Sequence, residues 1–594
     1  MIQADLLARA QAWLADDPDP ADRDELRALL ASGDQAELAD RFAARLTFGT
    51  AGLRGEIGAG PNRMNRAVVR ATTAALAGWL HESRGGGPAA GTRGPRSDGA
   101  PGAVVVGCDA RHRSADFAEE AARVLAGAGL TVHLLPRPCP TPLLAFAVRH
   151  LTAAAGVMIT ASHNPAADNG YKLYLSDGAQ VIPPVDAEVE KRIAGLGPLA
   201  QVPAADAGSP LITRHGDEVA QAYLDAIVGT AGAEQAGRPA AWPDLRVVYT
   251  AMHGVAGDLM LRAVARAGFP PPHVVAAQAE PDPDFPTVAL PNPEEPGALD
   301  LALADARRLG AELVLASDPD GDRLAVAVPE PGGARQARGG WRVLTGDQVG
   351  ALLGASLLAR TAGDGDERER LVASTIVSST LLAKIAAAAG ARYTETLTGF
   401  KWISRAADGV PGARFIFGYE EALGYEVGTV VRDKDGIGAV LAMLWLAASA
   451  KAAGRTVLEE YDGLEAAHGV HLTSALTLRT AEPARIMTRL RAEPPTEFGG
   501  QPVSQVIDLA SADAPGQGGD RAETGRAVPR ADVLIFRLAD ARVVLRPSGT
   551  EPKTKCYLEI VEPLRGRTLA QARAAAAERL APLRSALQAV LAGA

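Results

Sequence analysis

Ser162 is the first residue of this sequence whose surroundings favour a chemical role. It lies in MITASHNPAADNGYKLY, residues 158–174, between a short apolar run and Pro165. A serine hydroxyl is a weak nucleophile unless a base or a metal ion activates it, and serines in such positions also begin turns. Adjacent side chains of an extended segment point apart, so His163 need not be that base. No Gly-x-Ser-x-Gly motif is present, which disfavours a serine hydrolase.

Three carboxylates occur at alternate positions of LVLASDPDGDRLAVAV, residues 313–328. Apolar runs enter and leave this loop, so Asp318, Asp320 and Asp322 would repel one another unless a cation lay between them. Hard oxygen ligands suit Mg²⁺ or Ca²⁺. An EF-hand is excluded, because its glycine would be the sixth residue of the loop and here glycine is the fourth. The alternative is a solvated acidic turn, and Arg323 would balance charge or bind phosphate.

Two further loops carry polar groups between apolar runs. In RFIFGYEEALGYEVG, residues 414–428, Glu420 and Glu421 either accept hydrogen bonds from vicinal hydroxyl groups or form a solvated turn. In VVLRPSGTEPKTKCYLEI, residues 543–560, cations, hydroxyls and backbone amides suit a phosphate clamp better than a plain basic turn. The members of this clamp are Arg546, Ser548, Gly549, Thr550 and Lys553. Nucleotide binding has no support, since neither a Walker loop nor G-x-G-x-x-G is present.

Three more cations stand in otherwise apolar settings. They are Arg54 in FGTAGLRGEIG, Lys172 in NGYKLY and Lys401 in TLTGFKWI. Taken singly, each is typical of a surface side chain that buries its stem and keeps its charge in water.

The bulk composition indicates an acidic globular chain of several domains. Its 594 residues carry a net charge of −10, and about 150 residues per domain gives about four domains. This charge disfavours nucleic-acid and membrane-surface binding and leaves small anionic substrates open. Without C-x-x-C spacing, Cys108, Cys139 and Cys556 predict no disulfide framework or zinc site and a reducing, cytoplasmic compartment. The apolar run at 436–450 is too short for a membrane span and is expected to be a buried helix.

Strand-like apolar runs alternate with Ala/Leu-rich helical stretches along most of the chain, as in AVVVGCD, SADFAEEAARVLAGAG and TVHLLP. This alternation predicts an α/β protein with largely parallel sheets. Linkers are predicted near 195–215, 330–340 and 455–475. Gly/Pro-rich stretches predict a flexible insertion at 84–102 and a long loop at 492–530. The predicted domains are a helical lead at 1–44 and then 45–210 with the serine loop, 211–335 with the aspartate loop, 336–465 with the glutamate pair and 466–594 with the phosphate clamp.

In their order along the chain, TASHNP, DPDGDR, GYEEALGY and RPSGTEPKTK resemble the motifs of the α-D-phosphohexomutases, which include phosphoglucomutases and phosphomannomutases. FGTAGLRGEIGAGPNRMN and DKDGI (433–437) match as well, and the resemblance extends from about residue 40 to about 575. It implies four domains around a central cleft, three of them similar mixed α/β domains and the last a smaller α+β domain. It also implies a phosphosugar mutase, an isomerase that works by intramolecular phosphoryl transfer.

The resemblance further implies a phosphoserine at Ser162, of which one phosphate oxygen holds Mg²⁺ together with Asp318, Asp320 and Asp322. The phosphoserine would phosphorylate a sugar 1-phosphate, and the bisphosphate would turn over and return its other phosphate to Ser162. A sugar bisphosphate would serve as activator. Because a surface loop is expected around Ser162, replacing this serine should stop turnover and leave the fold intact.

Roles for the remaining candidates are implied in the same way. Glu420 and Glu421 would bind the sugar hydroxyls. The phosphate that does not react would be held by Arg546, Ser548, Gly549 and Thr550, and Arg323 and Lys553 complete the substrate-binding set. Proton transfer and stabilisation of the transferring phosphoryl group would fall to Arg54, His163, Lys172 and Lys401.

One position departs from the pattern of many hexose-specific members, since Ala422 stands where they carry serine. YEEALGY, the helical lead and the long chain are more like the branch that includes phosphopentomutase-type enzymes and some bacterial phosphoglucomutases. Glucose, mannose and pentose phosphates therefore stay open as substrates. A haloacid-dehalogenase-type phosphatase is disfavoured by Asp322 at its fifth motif position, and a non-catalytic sensor by the intact motifs. The expected partners are small-molecule sugar phosphates, with no nucleic acid or membrane, for a monomer or homodimer.

Overall fold

The computed structural model describes residues 4–49, 52–83, 102–136, 138–230, 244–330, 340–479, 482–511, 529–547 and 553–592. The chain divides into two compact units. The first comprises Met1–Glu234, Arg246–Val326 and Val430–Leu441, and the second comprises Gln235–Leu245, Ala327–Thr429 and Ala442–Ala594. The predicted insertion at 84–102 lies outside the described residues, apart from its last one.

The first unit begins with three helices, α1 (Ala4–Asp16), α2 (Pro20–Ser32) and α3 (Gln35–Arg41). Asp19 and Asp34 cap the last two, because their side chains accept hydrogen bonds from backbone N–H groups of the first helical turn. The three helices share a small apolar core of their own, formed by Leu6, Ala10, Leu26, Leu38, Phe42 and Ala59.

A six-stranded sheet with helices follows in the first unit. Its elements are β1 (Leu53–Glu56), α4 (Arg66–Glu82), β2 (Val104–Cys108), α5 (Ser114–Gly127), β3 (Val132–Leu134), α6 (Thr141–His150), β4 (Ala155–Ile159), β5 (Asp168–Leu175), α7 (Val185–Ala194), β6 (Ile212–Arg214) and α8 (Glu218–Thr230). The strand order is β1-β5-β4-β2-β3-β6. The central strands β2 and β4 are parallel and buried at every position, as their continuous apolar runs predict. β6 lies in the predicted linker 195–215 and pairs with β3.

A second sheet of the first unit carries the aspartate loop. Its elements are β7 (Val247–Thr250), α9 (Gly257–Arg266), β8 (His273–Val274), α10 (Asp300–Leu309), β9 (Leu313–Ala316) and β10 (Ala325–Pro329). The strand order is β10-β9-β7-β8, with β7 parallel to β9 and to β8. The chain passes into the second unit within β10, where residues 327–329 pair with β11 (Trp341–Val343).

The second unit contains a four-stranded sheet of order β13-β12-β14-β15. Its elements are α11 (Gly346–Arg360), β12 (Glu369–Thr375), α12 (Leu381–Ala388), β13 (Arg392–Thr396), α13 (Phe400–Ile403), β14 (Ala413–Glu420), β15 (Gly424–Val427), α14 (Gly436–Ala452) and α15 (Val457–His468). The first residues of α14, up to Leu441, belong to the first unit, although they lie inside the predicted domain 336–465.

The C-terminal part of the second unit contains an antiparallel sheet of order β16-β22-β21-β20-β19 and a separate two-stranded sheet of β17 and β18. Its elements are β16 (Val470–Arg479), α16 (Pro483–Ala492), β17 (Glu497–Phe498), β18 (Gln501–Pro502), β19 (Gln505–Asp508), β20 (Leu534–Leu538), β21 (Ala541–Pro547), β22 (Lys553–Glu562) and α17 (Leu569–Ala592). The prediction of a loop over 492–530 is wrong in its first part, where β17, β18 and β19 form. Phe498 and Ile507 are buried in apolar cores and stabilise these strands. Residues 512–528 lie outside the described part of the chain.

The predicted α/β class is confirmed, since parallel and mixed sheets alternate with helices and an antiparallel sheet follows. Most of α14 is buried, as its apolar run predicts. Among the described helices none is by itself long and apolar enough to span a membrane, and α14 and α15 meet that test only as a pair bent by 88°. The three cysteines are buried and form no disulfide bond.

Candidate active site

Ser162 lies in the loop that joins β4 to β5. The backbone N–H of Ser162 donates to Thr160 Oγ1 at 2.9 Å, directly after the last residue of the buried strand β4. Its φ of 53° is left-handed, a conformation that costs a residue with a side chain about 1–2 kcal/mol. The expectation of a surface loop is wrong, because Ser162 is only 1% exposed. The surrounding structure therefore holds this hydroxyl in a fixed and buried position.

The three aspartates lie in the loop between β9 and β10 and are almost completely buried. Their carboxylate oxygens lie within 4.8 Å of one another. Gly321 turns the chain between them with a φ of 70°, and a Cβ atom there would lie 2.7 Å from Ala256 Cβ. Burial, and then the charges of Asp322 and Asp320, raise the pKa of Asp318 well above its usual value. The loop thus concentrates negative charge that requires cations nearby.

The serine loop and the aspartate loop meet in the first unit. Ser162 Oγ donates a hydrogen bond to Asp318 Oδ2 at 2.9 Å and lies 3.4 Å from His163 Nδ1. The expectation that the side chains of Ser162 and His163 point apart is wrong, because the chain is not extended at Ser162. Burial, and then the positive charges of Arg323 and Arg54, lower the pKa of His163 well below its usual value.

Lys172 is a buried partner of two of the aspartates. Its Nζ donates to Asp320 Oδ2 at 2.6 Å and to Asp322 Oδ2 at 2.9 Å, and Thr141 Oγ1 also donates to Asp320 Oδ2 at 2.6 Å. Burial alone would lower the pKa of Lys172, but the two carboxylates outweigh it and raise that pKa. Likewise, burial alone would raise the pKa of Asp320, but the Lys172 charge outweighs it and lowers that pKa. The expectation of a surface lysine is wrong at this position, since Lys172 is 1% exposed.

The donor set of the aspartate loop fits a divalent cation. Asp320 Oδ1 and Asp322 Oδ1 are buried, and no described residue donates a hydrogen bond to them. Within the described ranges, Asp318, Asp320 and Asp322 form the one group of three potential metal ligands at such short mutual distances. Clustered carboxylate oxygens without donors suit a hard cation such as Mg²⁺. These residues could therefore hold the metal ion that the resemblance implies.

Arg54 and Arg323 add positive charge beside the two loops. Arg54 lies on β1 opposite Gly170, and its Nη1 donates to Asn164 Oδ1 at 3.1 Å. Burial lowers the pKa of Arg54, and the charge of Asp320 opposes this effect. Arg323 Nε lies 3.9 Å from the nearest carboxylate oxygens of Asp318 and Asp322. Both guanidinium groups thus add positive charge beside the two loops, which favours the binding of phosphate oxygens.

Lys434 is a residue of this cluster that the sequence reasoning did not single out. Its Nζ lies 3.3 Å from Asp322 Oδ2 and 3.6 Å from Asp433 Oδ1. Asp433 in turn accepts hydrogen bonds from Tyr174 Oη at 2.7 Å and Gln180 Nε2 at 2.8 Å. The signal was present in DKDGI, a polar run in front of a long apolar helix, but no spacing rule connects it to a loop over a hundred residues earlier.

Glu420 and Glu421 lie at the turn from β14 to β15 in the second unit. Glu420 Oε1 accepts a hydrogen bond from the backbone N–H of Gly399 at 2.6 Å. Glu421 Oε2 lies 3.5 Å from Thr375 Oγ1 and 3.4 Å from Ser378 Oγ. Burial, and then the charge of Glu420, raise the pKa of Glu421 to about 7. This carboxyl group therefore changes its charge near neutral pH.

The segment at 398–401 links the remaining candidates of the second unit. Arg546 Nη1 donates to Thr398 Oγ1, next to the Gly399 amide that contacts Glu420. Lys401 is the second residue of α13 and follows Gly399 by two positions. Its Nζ lies 5.9 Å from the ring centre of Trp402. Lys553 is the first residue of β22, and Ser548, Gly549 and Thr550 lie outside the described residues.

Tyr557 is a second residue that the sequence reasoning missed. Burial, and then the charge of Glu421, raise its pKa, and its hydroxyl forms a hydrogen bond with Glu421. The alternation of β22 alone does not distinguish this tyrosine from an ordinary strand residue.

Sequence models of four domain families match the chain in order. They are described as phosphoglucomutase/phosphomannomutase alpha/beta/alpha domain I at residues 45–197, domain II at 221–333, domain III at 345–465 and the C-terminal domain at 504–576. The chain belongs to the phosphoglucomutase/phosphomannomutase family. It is therefore a phosphomutase, an isomerase that acts by phosphoryl transfer, and the predicted family and enzyme class are confirmed.

Similar proteins of this family are named for different sugars. A protein of Haemophilus influenzae named probable phosphomannomutase is 41% identical over 466 residues, which are 77% of this chain and 87% of that protein. A phosphopentomutase of Mus musculus is 33% identical over 579 residues, which are 93% of this chain and 89% of that protein. Family membership therefore leaves the sugar open.

A solved structure of the phosphoglucomutase/phosphomannomutase family agrees in fold. The protein from Burkholderia thailandensis superimposes with a TM-score of 0.66 and 21% identity, over 92% of this chain and 98% of that one. At this identity the likeness concerns the fold alone.

Proposed function

We propose that this phosphomutase moves a phosphoryl group between the 1- and 6-positions of a hexose phosphate, glucose or mannose, through a phosphoserine at Ser162. The observation that supports this most directly is the hydrogen bond of 2.9 Å from Ser162 Oγ to Asp318 Oδ2. It joins the serine hydroxyl of TASHNP to a buried cluster of three carboxylates, beside which lie cations suited to phosphate. A serine needs such activation to act as a nucleophile or to carry a phosphoryl group.

The proposed metal ion is Mg²⁺, held by Asp318, Asp320 and Asp322 together with the oxygen group on Ser162. When bound, Mg²⁺ would supply positive charge to the oxygens of the transferring phosphoryl group. Lys172 keeps Asp320 and Asp322 ionised through its two short ion pairs, so the carboxylates stay competent as ligands.

In the first proposed step, the P–O bond to Ser162 Oγ breaks and a P–O bond to the free hydroxyl of the sugar 1-phosphate forms. The hydroxyl proton passes to a protein base, and Ser162 Oγ takes up a proton as the phosphoryl group leaves. Arg54 donates to phosphoryl oxygens, and the positive charge of Lys172 stabilises the transferring phosphoryl group. His163, 3.4 Å from Ser162 Oγ, is the candidate for the proton transfer. The return step runs the same exchange with the other phosphate of the bisphosphate.

The second unit would bind the parts of the substrate that do not react. Glu420 and Glu421 accept hydrogen bonds from sugar hydroxyls, since both carboxylates lie at one turn with polar neighbours. We assign the non-reacting phosphate to Arg546, Ser548, Gly549, Thr550 and Lys553. Lys401 stays a candidate for stabilising the transferring phosphoryl group, and Arg323 stays a candidate phosphate ligand of the first unit. Hydrogen-bond donors of this kind can bind either phosphate of a bisphosphate, because they recognise charge and not the shape of the sugar.

The alternative is a phosphopentomutase that converts ribose or deoxyribose 1-phosphate into the 5-phosphate. The phosphopentomutase relative covers 93% of this chain, and Ala422 removes a hydroxyl at the proposed sugar loop. The same Ser162 chemistry would apply, because only the spacing of the two reacting oxygens differs. In either case we assign the reaction to the cytoplasm, because cysteines without disulfide bonds are typical of a reducing compartment.

The deciding experiment compares kcat/KM for glucose 1-phosphate, mannose 1-phosphate and ribose 1-phosphate, with Mg²⁺ and the matching sugar bisphosphate as activator. A preference for a hexose supports the main proposal, and a preference for ribose 1-phosphate supports the alternative.

Ser162→Ala should lose at least about 1,000-fold in kcat, because the covalent route is removed. A chelator should stop turnover, and added Mg²⁺ should restore it. Release of inorganic phosphate faster than isomerisation would refute a mutase.

A further inference from the structure

The turn between β2 and α5, residues 109–114, lies against the Ser162 loop, and Arg111 extends from it into that loop. Arg111 is 4% exposed. Its Nη2 donates to the backbone carbonyl oxygens of Ser162 at 2.7 Å and Asn164 at 2.6 Å. Its Nη1 donates to those of Pro165 at 2.7 Å and Asp168 at 3.1 Å. One guanidinium group thus binds four carbonyl groups across the whole connection from β4 to β5.

Contacts on the other sides hold this guanidinium in place. Asp109 Oδ1 accepts the backbone N–H of Arg111 at 3.0 Å, and Asp109 Oδ2 lies 3.6 Å from Arg111 Nε. The ring of Phe285 lies 5.0 Å from the guanidinium carbon, which suits a cation–π contact. Asn169 Nδ2, at the start of β5, donates to the carbonyl oxygen of His112 at 2.9 Å and ties the two segments together again.

Arg111 supplies hydrogen-bond donors for the backbone carbonyls of the Ser162 loop. Ser162 lies beyond Ile159, the last residue of β4, so the strand ladder supplies no donor for its carbonyl and this buried acceptor needs another donor. The guanidinium group holds five N–H donors in a rigid plane and binds four carbonyls here, whereas an ammonium group has only three donors on a flexible stem. A shift of the Ser162 carbonyl would also change the direction of Ser162 Oγ toward Asp318, because both groups belong to the same residue.

We propose that Arg111 is a positioning residue for the phosphoryl-transfer step: it fixes the backbone of residues 162–168 so that Ser162 Oγ faces the aspartate loop. The proposal rests on the proposed function for its effect on turnover. Its structural part, the clamping of the loop, stands on the four hydrogen bonds alone.

The test is Arg111→Lys in the full-length protein. We expect kcat to fall by about 10-fold to 100-fold, since misplacing a reacting group by about 1 Å costs on that scale. KM for the sugar 1-phosphate should change less than about threefold, because Arg111 makes no proposed contact with substrate. Hydrogen exchange followed by mass spectrometry should show faster exchange confined to peptides that cover 160–169.

Arg113→Lys is the matched control. Arg113 lies in the same turn, but its guanidinium binds the carboxylates of Asp19 and Asp22 on the N-terminal helices and not the Ser162 loop. We expect its kcat to stay within about twofold of the wild-type value, with no change in exchange at 160–169.

Wild-type kcat in Arg111→Lys, or equal losses of kcat in the two variants, would overturn the proposal. If Arg111→Lys does not fold, Phe285→Leu replaces it: a smaller kcat loss with faster exchange at 160–169 supports the proposal, and unchanged exchange overturns it. If the wild-type protein shows no mutase turnover, the proposed function fails, while the exchange at 160–169 still decides whether Arg111 holds the loop.

Discussion

Near Ser162, the buried charge of Lys172 is stabilised by pairing with two aspartates. Lys172 is 1% exposed and makes two short ion pairs with Asp320 and Asp322. Taken alone in the sequence, a lysine between tyrosine and leucine is indistinguishable from a surface residue, because its partners lie about 150 positions away. Removing one partner of a buried pair leaves an uncompensated charge, which costs about 3–5 kcal/mol. The pairing is therefore a requirement of the fold as well as of the proposed chemistry.

Glu421 predicts a pH dependence of substrate capture. Its pKa is raised to about 7, chiefly by burial and then by Glu420, so Glu421 gains a proton as pH falls through that value. A protonated carboxyl group loses acceptor capacity for the proposed sugar hydroxyls. The ratio of kcat/KM between wild type and Glu421→Gln should therefore fall by about threefold to tenfold from pH 8 to pH 6.

The comparison with Glu421→Gln removes the effect of the substrate, since the phosphate of the sugar ionises equally in both reactions. A ratio that stays constant over this pH range would show that Glu421 does not bind the sugar as a carboxylate. Far-UV circular dichroism of both proteins at each pH checks that the fold is unchanged.

Elements with strong local signals could be predicted from the sequence, and elements joined by distant contacts could not. β4 and β9 are apolar runs that end at polar loops, so the sequence predicts the serine and aspartate loops at strand ends. The hairpin at 497–502 was missed because its Gly-Gly turn and proline are typical of loops, while the burial of Phe498 depends on a core built by other strands. Lys434 was missed for the same reason: its contact with Asp322 is a property of the fold and not of local pattern.

The N-terminal helices lie outside the matched family domains and form their own small core, which predicts a local effect of mutation. Leu26 is fully buried between α1, α2 and α3. Leu26→Ala should destabilise these helices by about 2–4 kcal/mol, the usual cost of a leucine cavity. Faster hydrogen exchange over residues 4–41, with little change over 155–175, is the expected result.

Leu29→Ala on the same helix is the control, because Leu29 is only partly buried against that core. It should change exchange of the N-terminal helices far less. Equal effects of the two substitutions would mean that the core around Leu26 contributes little to holding these helices.

The chain as a whole divides the proposed chemistry between its two units. Ser162, the three aspartates, Lys172 and Lys434 all belong to the first unit, and Glu420, Glu421, Lys401 and Arg546 belong to the second. The segment Val430–Leu441 returns to the first unit after the last strand of the four-stranded sheet. Composition and spacing predict the number of domains, but this return of a later segment to an earlier unit follows from long-range packing, as between Gly436 and Arg323.

This division predicts where a metal ion stabilises the protein. A ligand that binds only the native state stabilises it by about 2.7 kcal/mol at 100 times its Kd. Since all the proposed Mg²⁺ ligands lie in the first unit, adding Mg²⁺ to chelator-treated protein should slow hydrogen exchange at 155–175, 313–328 and 430–441. Peptides from the C-terminal sheet, such as 534–547, should not respond. Asp320→Asn should abolish the protection, because it removes one ligand charge, whereas equal protection of the C-terminal sheet would place the ion elsewhere.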